Sequence, residues 1–297
     1  MAADLARVRR RRRLVRAGVA IAACLAVLAV AVGLWPAAEV PLAEAVARVE
    51  TSFGGVVVRE PSGGLRSLSA GDRIRQGQRV EVGQRSGLGV IMLDADLRLG
   101  ADSTVVFAAD AVELLDGRLY VDTRGSRLGE LRIVTRAGTF EHLGTQYLVS
   151  VEAGEVVGAV REGRIVLHGP TGDVTLAASD PAASMVVVSS GGELTTRAVS
   201  STAELWHWVA DLSPGFVLVG RNADDAFRWV ARERGQRLEY ASPAARWAAR
   251  SARLGGSDDR PLPADEVVAV IAAATELRAV SEQDGAVLSV SLGSKAD

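Results

Sequence analysis

A single cysteine, Cys24, leaves this chain without an intramolecular disulfide and without a thiolate metal site, even in an oxidising compartment. Lysine is nearly absent as well. Arginine outnumbers it 33 to 1 amid abundant Ala, Val and Gly, a pattern that fits the codon bias of a GC-rich bacterial genome. The three histidines, His142, His168 and His207, show no partner spacing such as H-E-x-x-H, so each is read as a surface or strand-end residue. No G-x-S-x-G occurs, and no glycine-rich element precedes a helix where it could cradle phosphate. Asp94 and Asp96 flank Ala95, but a cation loop needs more oxygen ligands at regular spacing, so a hairpin turn accounts for them better. Asp258-Asp259-Arg260 sits in a Gly-Ser-rich loop and reads as solvated. No catalytic constellation, cofactor site or metal site is expected, and the chain is not read as an enzyme.

What the chain does have is polarity. Arg7, Arg9, Arg10, Arg11, Arg12, Arg13 and Arg16 precede a stretch from Ala17 to Trp35 that contains no charged residue. As a helix this stretch would be about 28 Å long, close to the thickness of a bilayer's hydrocarbon core. Arginines held on one flank by the anionic inner leaflet would keep that flank cytoplasmic. The expectation is a basic cytoplasmic segment (1–16), a transmembrane helix (17–35) and a juxtamembrane linker (36–50), with the bulk of the chain periplasmic and anchored to the bacterial inner membrane. Three alternatives fit less well. A cleaved signal would have a shorter apolar core, and its small-x-small site, Ala43-Glu44-Ala45, comes late. Arg11-Arg12-Arg13-Leu14-Val15 only loosely resembles a twin-arginine signal. Ile21-Ala22-Ala23-Cys24 only loosely resembles a lipoprotein box, because the chain stays apolar beyond the cysteine.

The net charge of −2 is the sum of about +6 on residues 1–16 and about −8 on the remainder. A mildly acidic exterior lacks the clustered basic face that nucleic acid requires. No small-molecule substrate is indicated either.

From 51 to 196, apolar residues recur at period two in short runs separated by Gly, Asp and Ser, which predicts a many-stranded β domain forming a solenoid, sandwich or barrel. Gly63-Gly64, Asp116-Gly117, Ala153-Gly154, Glu162-Gly163 and Thr171-Gly172-Asp173 supply candidate turns. Within this region the order Gly71-Asp72-Arg73-Ile74, Val90-Ile91-Met92-Leu93-Asp94 and Leu114 to Val121 stands out. It is followed by Ile133-Val134-Thr135, Gly144-Thr145-Gln146-Tyr147-Leu148-Val149 and Val160 to Val166. This order resembles the ectodomain of FecR-type regulators, the iron-dicitrate sensor family, with Tyr147 in the place usually held by Phe. Gly144, Thr145, Tyr147 and Val149 are a scaffold signature. Gly144 is read as relieving a close backbone approach, with Tyr147 and Val149 on one face of a strand.

A linker (197–215) carries a short helix, Ala203 to Leu212, with Leu205, Trp208, Val209 and Leu212 on one stripe. Trp206 falls off that stripe. It is read either as a partner contact on an exposed face or as packing on the neighbouring β domain. Residues 216–292 read as a small α+β domain of order β-α-β-β-α-β-β. Its parts are a strand at Phe216–Val219, a helix capped by Asn222 and stopped by Gly235, and strand Arg237–Tyr240. A third strand would lie before Leu254, followed by a helix from Pro263 to Thr275 with Val267, Val270, Ile271 and Ala274 inward, and a hairpin across Asp284-Gly285. This order resembles the short N-terminal domain of secretins and TonB-dependent receptors.

The resemblances imply a membrane regulator that acts by protein contact. The partners they imply are an outer-membrane receptor's signalling domain outside and an extracytoplasmic-function sigma factor inside. Family members that hold sigma factors have a helical cytoplasmic domain of several dozen residues, whereas here a segment of only sixteen residues, seven of them arginine, precedes the anchor. A separate anti-sigma protein, an upstream start codon, or loss of the regulatory output would each account for that. An envelope structural or assembly protein using the β domain as a binding scaffold is the alternative reading.

Overall fold

A computed structural model describes residues 44–60, 63–123, 131–178, 182–255 and 260–293. The arginines from Arg7 to Arg16, the apolar stretch 17–35 and Asp258-Asp259 lie outside these residues. Among the described residues no helix is long and apolar enough to cross a membrane.

The period-two pattern of the first half folds into two stacked sheets. One, here sheet A, has the order β4 (Arg73–Arg75), β1 (Ala45–Phe53), β6 (Gly87–Met92), β7 (Ala95–Leu99), β9 (Ala111–Asp122), β12 (Gln146–Glu152), β13 (Glu155–Glu162), β16 (Ala182–Val188) and β17 (Leu194–Ser200), all antiparallel. Sheet B has the order β3 (Leu65–Ser67), β2 (Val56–Arg59), β5 (Arg79–Val82), β8 (Thr104–Phe107), β9 again, β10 (Arg132–Thr135), β11 (Gly138–His142), β14 (Arg164–Gly169) and β15 (Gly172–Ala177). Only β9–β10 pairs in parallel within it. One core lies between the layers, where Val49, Leu97, Val121, Val149 and Val160 of sheet A meet Val58, Phe107, Ile133, Phe140 and Ile165 of sheet B. Alternation thus sends every second side chain into a dry layer, the geometry of a β-sandwich.

Two of the glycine pairs read as hairpins have a different role. Asp116-Gly117 lies within β9. The first half of that strand pairs in sheet B, and Gly117–Asp122 pairs in sheet A. A bulge at Leu115 and the positive φ of Gly117 (84°) bend the strand from one layer to the other. Glu162-Gly163 is a second corner, passing from β13 in sheet A to β14 in sheet B. Ala153-Gly154 closes a true two-residue hairpin, as does Leu93-Asp94, both of whose residues have positive φ.

β1 starts at Ala45, inside the segment read as linker, and β17 runs to Ser200, past the expected end of the β region. The short helix begins as a 3₁₀ turn (Glu204–Trp206) and continues as α1 (His207–Asp211).

The C-terminal part departs from the expected order. Phe216 makes only an isolated bridge to Leu262 rather than a strand, and the expected third strand is a helix, α3 (Pro243–Ser251). Ser242 caps that helix through the Ala245 amide, and Pro243 sits at its first position. α2 (Ala223–Arg234) forms as expected, with Asn222 and Asp225 making a capping box and Gly235 left-handed at its end. α4 (Ala264–Ala274) buries Val267 and Ile271 but leaves Val270 and Ala274 exposed. β18 (Arg237–Tyr240) pairs in parallel with β20 (Val287–Leu292), which pairs antiparallel with β19 (Leu277–Glu282). The order is therefore α-β-α-α-β-β, and the resemblance to the secretin short domain is not carried by it. The helices cover one face of this sheet, and Phe227, Val230, Ala249, Val267, Ile271, Leu288 and Val290 form its core. The β-sandwich and the C-terminal module together make one compact unit.

Candidate functional site

The outer face of sheet A carries side chains that alternate with those of the core: Arg98 on β7, Tyr120 and Asp122 on β9, Gln146 on β12, Arg161 on β13. In an isolated sandwich these would meet water. Here α1 and the C-terminal end of α2 cover them. Arg98 is wholly buried, and Asp122, Gln146 and Glu233 nearly so.

The chemistry of this junction is ionic. The Arg98 guanidinium donates to Glu233 Oε2 at 2.7 Å, to Asp96 Oδ2 at 2.6 Å and to the Val209 carbonyl at 2.8 Å. Arg232 of α2 grips Asp122 with Nη2 at 2.8 Å and Nε at 3.2 Å, and also pairs with Glu162. Gln146 donates to Asp122 at 3.1 Å and accepts from Arg161 Nε at 3.0 Å. Arg161 Nη2 reaches the carbonyls of Arg232 and Glu233, at 3.2 and 3.1 Å. It thereby caps α2 where the helix dipole leaves partial negative charge. The guanidinium carbons of Arg98 and Arg161 each lie 5.2 Å from the Tyr120 ring centre, and Arg161 lies as far from that of Trp206.

Burial works against each charge, and the partners decide the outcome. Desolvation would lower the Arg98 pKa, but Glu233 and Asp96 hold it above the usual arginine value. Arg232 is likewise held above its usual value by Asp122 and Glu162 despite burial. Burial raises the Asp96 carboxyl, only partly offset by Arg98, and pushes the Tyr120 hydroxyl up to about 12. The arrangement holds charges in place. It offers no nucleophile and base within reach of each other. Among the described residues no group of three or more His, Cys, Asp or Glu could hold a metal ion.

Trp206, read in the sequence either as a partner contact or as packing on the β domain, is 2% exposed and follows the second reading. Its Nε1 donates to the Ser200 carbonyl at 3.2 Å, and it belongs to one apolar cluster with Tyr120, Leu148, Ala159 and Met185 of sheet A and Val209 of α1. It is part of the junction and not a free surface. His142 is the last residue of β11, at a strand end as expected, but is fully buried. His168 is half-exposed near the end of β14, between Asp173 and Glu141. His207 is exposed at the start of α1. Asp94 lies in the β6–β7 turn, whereas Asp96 enters the ionic junction.

Gly144, Thr145, Tyr147 and Val149 fall at the start of β12. Gly144 has φ 74°, and its carbonyl stands where a Cβ on Gly163 would have to go. Thr145 ties to Thr123, donating its amide to Oγ1 at 2.7 Å and accepting the Thr123 amide at 3.0 Å. Tyr147 and Val149 both point into the core between the sheets. Arg98, Asp122 and Arg161 had no signal in the sequence beyond lying at alternate, outward strand positions, and Glu233 none beyond its place in the last turn of a helix.

Residues 74–166, just under a third of the chain and spanning β4 to β14, match the family model for FecR protein. This segment is a FecR-type domain. Among solved structures the chain is similar to two crystal structures of a candidate anti-sigma factor from Parabacteroides distasonis ATCC 8503. One shares 16% identity over 71% of this chain and 97% of the other, with a TM-score of 0.38. The second shares 15% identity over 73% and 99%, with a TM-score of 0.37. Likeness at this level carries no information on what the chain binds. No curated protein matches the chain significantly.

Proposed function

We propose that this chain is a single-pass inner-membrane regulator of FecR type, whose periplasmic body binds a protein partner and relays an envelope signal inward. Residues 1–16 would lie in the cytoplasm and 17–35 in the bilayer. The FecR-type match over 74–166 supports the regulatory class. The partners that class implies are an outer-membrane receptor's signalling domain outside and, inside, an extracytoplasmic-function sigma factor or a separate anti-sigma protein.

The observation that carries the relay is the ionic junction. Apolar contact of similar volume is often as stabilising as a buried ion pair, so buried pairs are poor glue. They do fix one orientation, and removing any one member leaves the others uncompensated. A partner contact that moves the C-terminal module would therefore be felt on sheet A as a discrete rearrangement. Such two-state behaviour is what a relay needs, with the partner supplying differential affinity for the two arrangements.

Crosslinking in intact membranes, followed by mass spectrometry of captured proteins, tests the reading. Recovery of an envelope receptor together with a sigma factor or anti-sigma protein is expected. Capture of cell-wall assembly components alone would contradict it and favour a scaffold.

A further inference from the structure

The free edge of the small C-terminal sheet lies in a groove whose chemistry is not used by the junction. Among the described residues β18 pairs only with β20, and the amides of Arg237 and Ala241 donate to the carbonyls of Ala286 and Val290 on that side. In a parallel ladder alternate residues face the same neighbour, so the backbone N–H and C=O groups of Leu238 and Tyr240 point the other way. They open onto a groove of about 660 Å³ lined by Leu238, Tyr240, Arg228, Arg246, Trp247 and Arg250. Trp247 is 72% exposed, the most exposed large apolar side chain among the described residues.

The electrostatics of the groove are one-sided. Among the described residues no carboxylate lines it; Asp224, behind the lining, is bound by the Tyr240 hydroxyl and by Arg228 at 3.0 Å, with Arg250 at 3.7 Å. Three guanidiniums thus line the groove, two of them sharing Asp224, and α3 contains no acidic residue. An unpaired strand edge beside a tryptophan and surplus arginines sets three requirements on an occupant. It must be extended, to take up the backbone groups of Leu238 and Tyr240. It must be acidic, to meet Arg246 and Arg250. It must carry an apolar or planar group to lie against the indole.

We propose that this groove binds a short, extended, acidic segment of a partner protein, which adds a fourth strand beside β18. The inference rests on the reading of the chain as a regulator that acts by protein contact, and it names the chemistry of that contact. A lipid surface would also attract tryptophan and arginine, but it has no use for the strand edge.

The test uses the full chain in detergent micelles and fluorescein-labelled peptides in which Glu alternates with Val or Ile, with Lys-for-Glu counterparts as controls. Fluorescence anisotropy is expected to show binding of the acidic peptides that weakens as salt is raised. W247A and the double variant R246E/R250E, all at exposed positions, should each weaken it at least tenfold while leaving the circular dichroism spectrum unchanged. N-methylation of alternate peptide amides should abolish it in one register and spare it in the other. Failure of every acidic peptide to bind, equal binding of the Lys peptides, or indifference to N-methylation overturns the proposal. So does a loss on R246E/R250E confined to sedimentation with phosphatidylglycerol vesicles, which would assign the patch to lipid. If the variants abolish peptide binding but crosslinking still recovers the regulatory partners, only the groove's role is refuted, and the regulatory reading stands.

Discussion

Arg98 and Glu233 lie 135 positions apart in sequence and meet at 2.7 Å, with both side chains sealed from water. One belongs to the FecR-type β-sandwich and the other to the last turn of α2, so their pairing sets where the C-terminal module sits on sheet A.

Removing one partner should cost far more than removing both. Glu233→Ala leaves Arg98 buried with only Asp96 to balance it, and a loss of about 3–5 kcal/mol is expected in urea unfolding of the full chain. R98M/E233L, which fills the space with apolar atoms, should recover most of that loss. Equal cost for single and double variants would mean that the pair contributes only volume.

The corner at Gly163 should tolerate no side chain. With φ at 79° and the Gly144 carbonyl in the way, Gly163→Ala is expected to cost upwards of about 1 kcal/mol. Gly55→Ala, where a Cβ would meet nothing and φ is ordinary, is the control and should change the unfolding midpoint little.

Tyr147 occupies a position where the family places Phe, and its hydroxyl has no hydrogen-bond partner among the described residues, while burial raises its pKa. Tyr147→Phe removes an unsatisfied polar atom from the core and should stabilise the chain by about 1 kcal/mol. A thermal melt reads the sign directly, and a lower midpoint would show that the hydroxyl is satisfied.

His168 should titrate above the usual histidine value, first because of its hydrogen bond to Asp173 and then because Glu141 is also close. A raised folded pKa means that its contribution to stability is complete below about pH 6.5 and is lost as pH rises through the folded value. NMR titration of the imidazole should show the raised midpoint, and Asp173→Asn should bring it down. An unchanged midpoint in that variant would remove Asp173 as the cause.

Much of the sandwich was legible because alternation is a local signal. Tyr147 and Val149 announce a face buried between sheets, and Ala153-Gly154 announces a hairpin. Asp116-Gly117 misled because a glycine at positive φ serves a bend between layers as well as a turn, and only the pairing partners, far away in sequence, decide which. The stretch before Leu254 was read as a strand although Ser242-Pro243 and its alanines carry a helix start. The ionic junction could not be read at all. Arg98 between Leu97 and Leu99 has the pattern of a solvent-facing residue, and what covers it is a helix end more than a hundred positions downstream. Trp206 was the one visible trace, since a tryptophan off its helix's stripe must be packed by something else.

The central claim is that, with no partner bound, Arg98, Arg161 and Arg232 lock the β-sandwich and the C-terminal module in one arrangement. Hydrogen exchange of the full chain, read at the amides of β12 and of α2 in the same sample, tests it most directly. The account predicts that both segments open with the same free energy in the native protein, and that Glu233→Ala lets α2 exchange first while β12 stays protected. Independent opening of α2 in the native protein, with Glu233→Ala changing nothing, would contradict it.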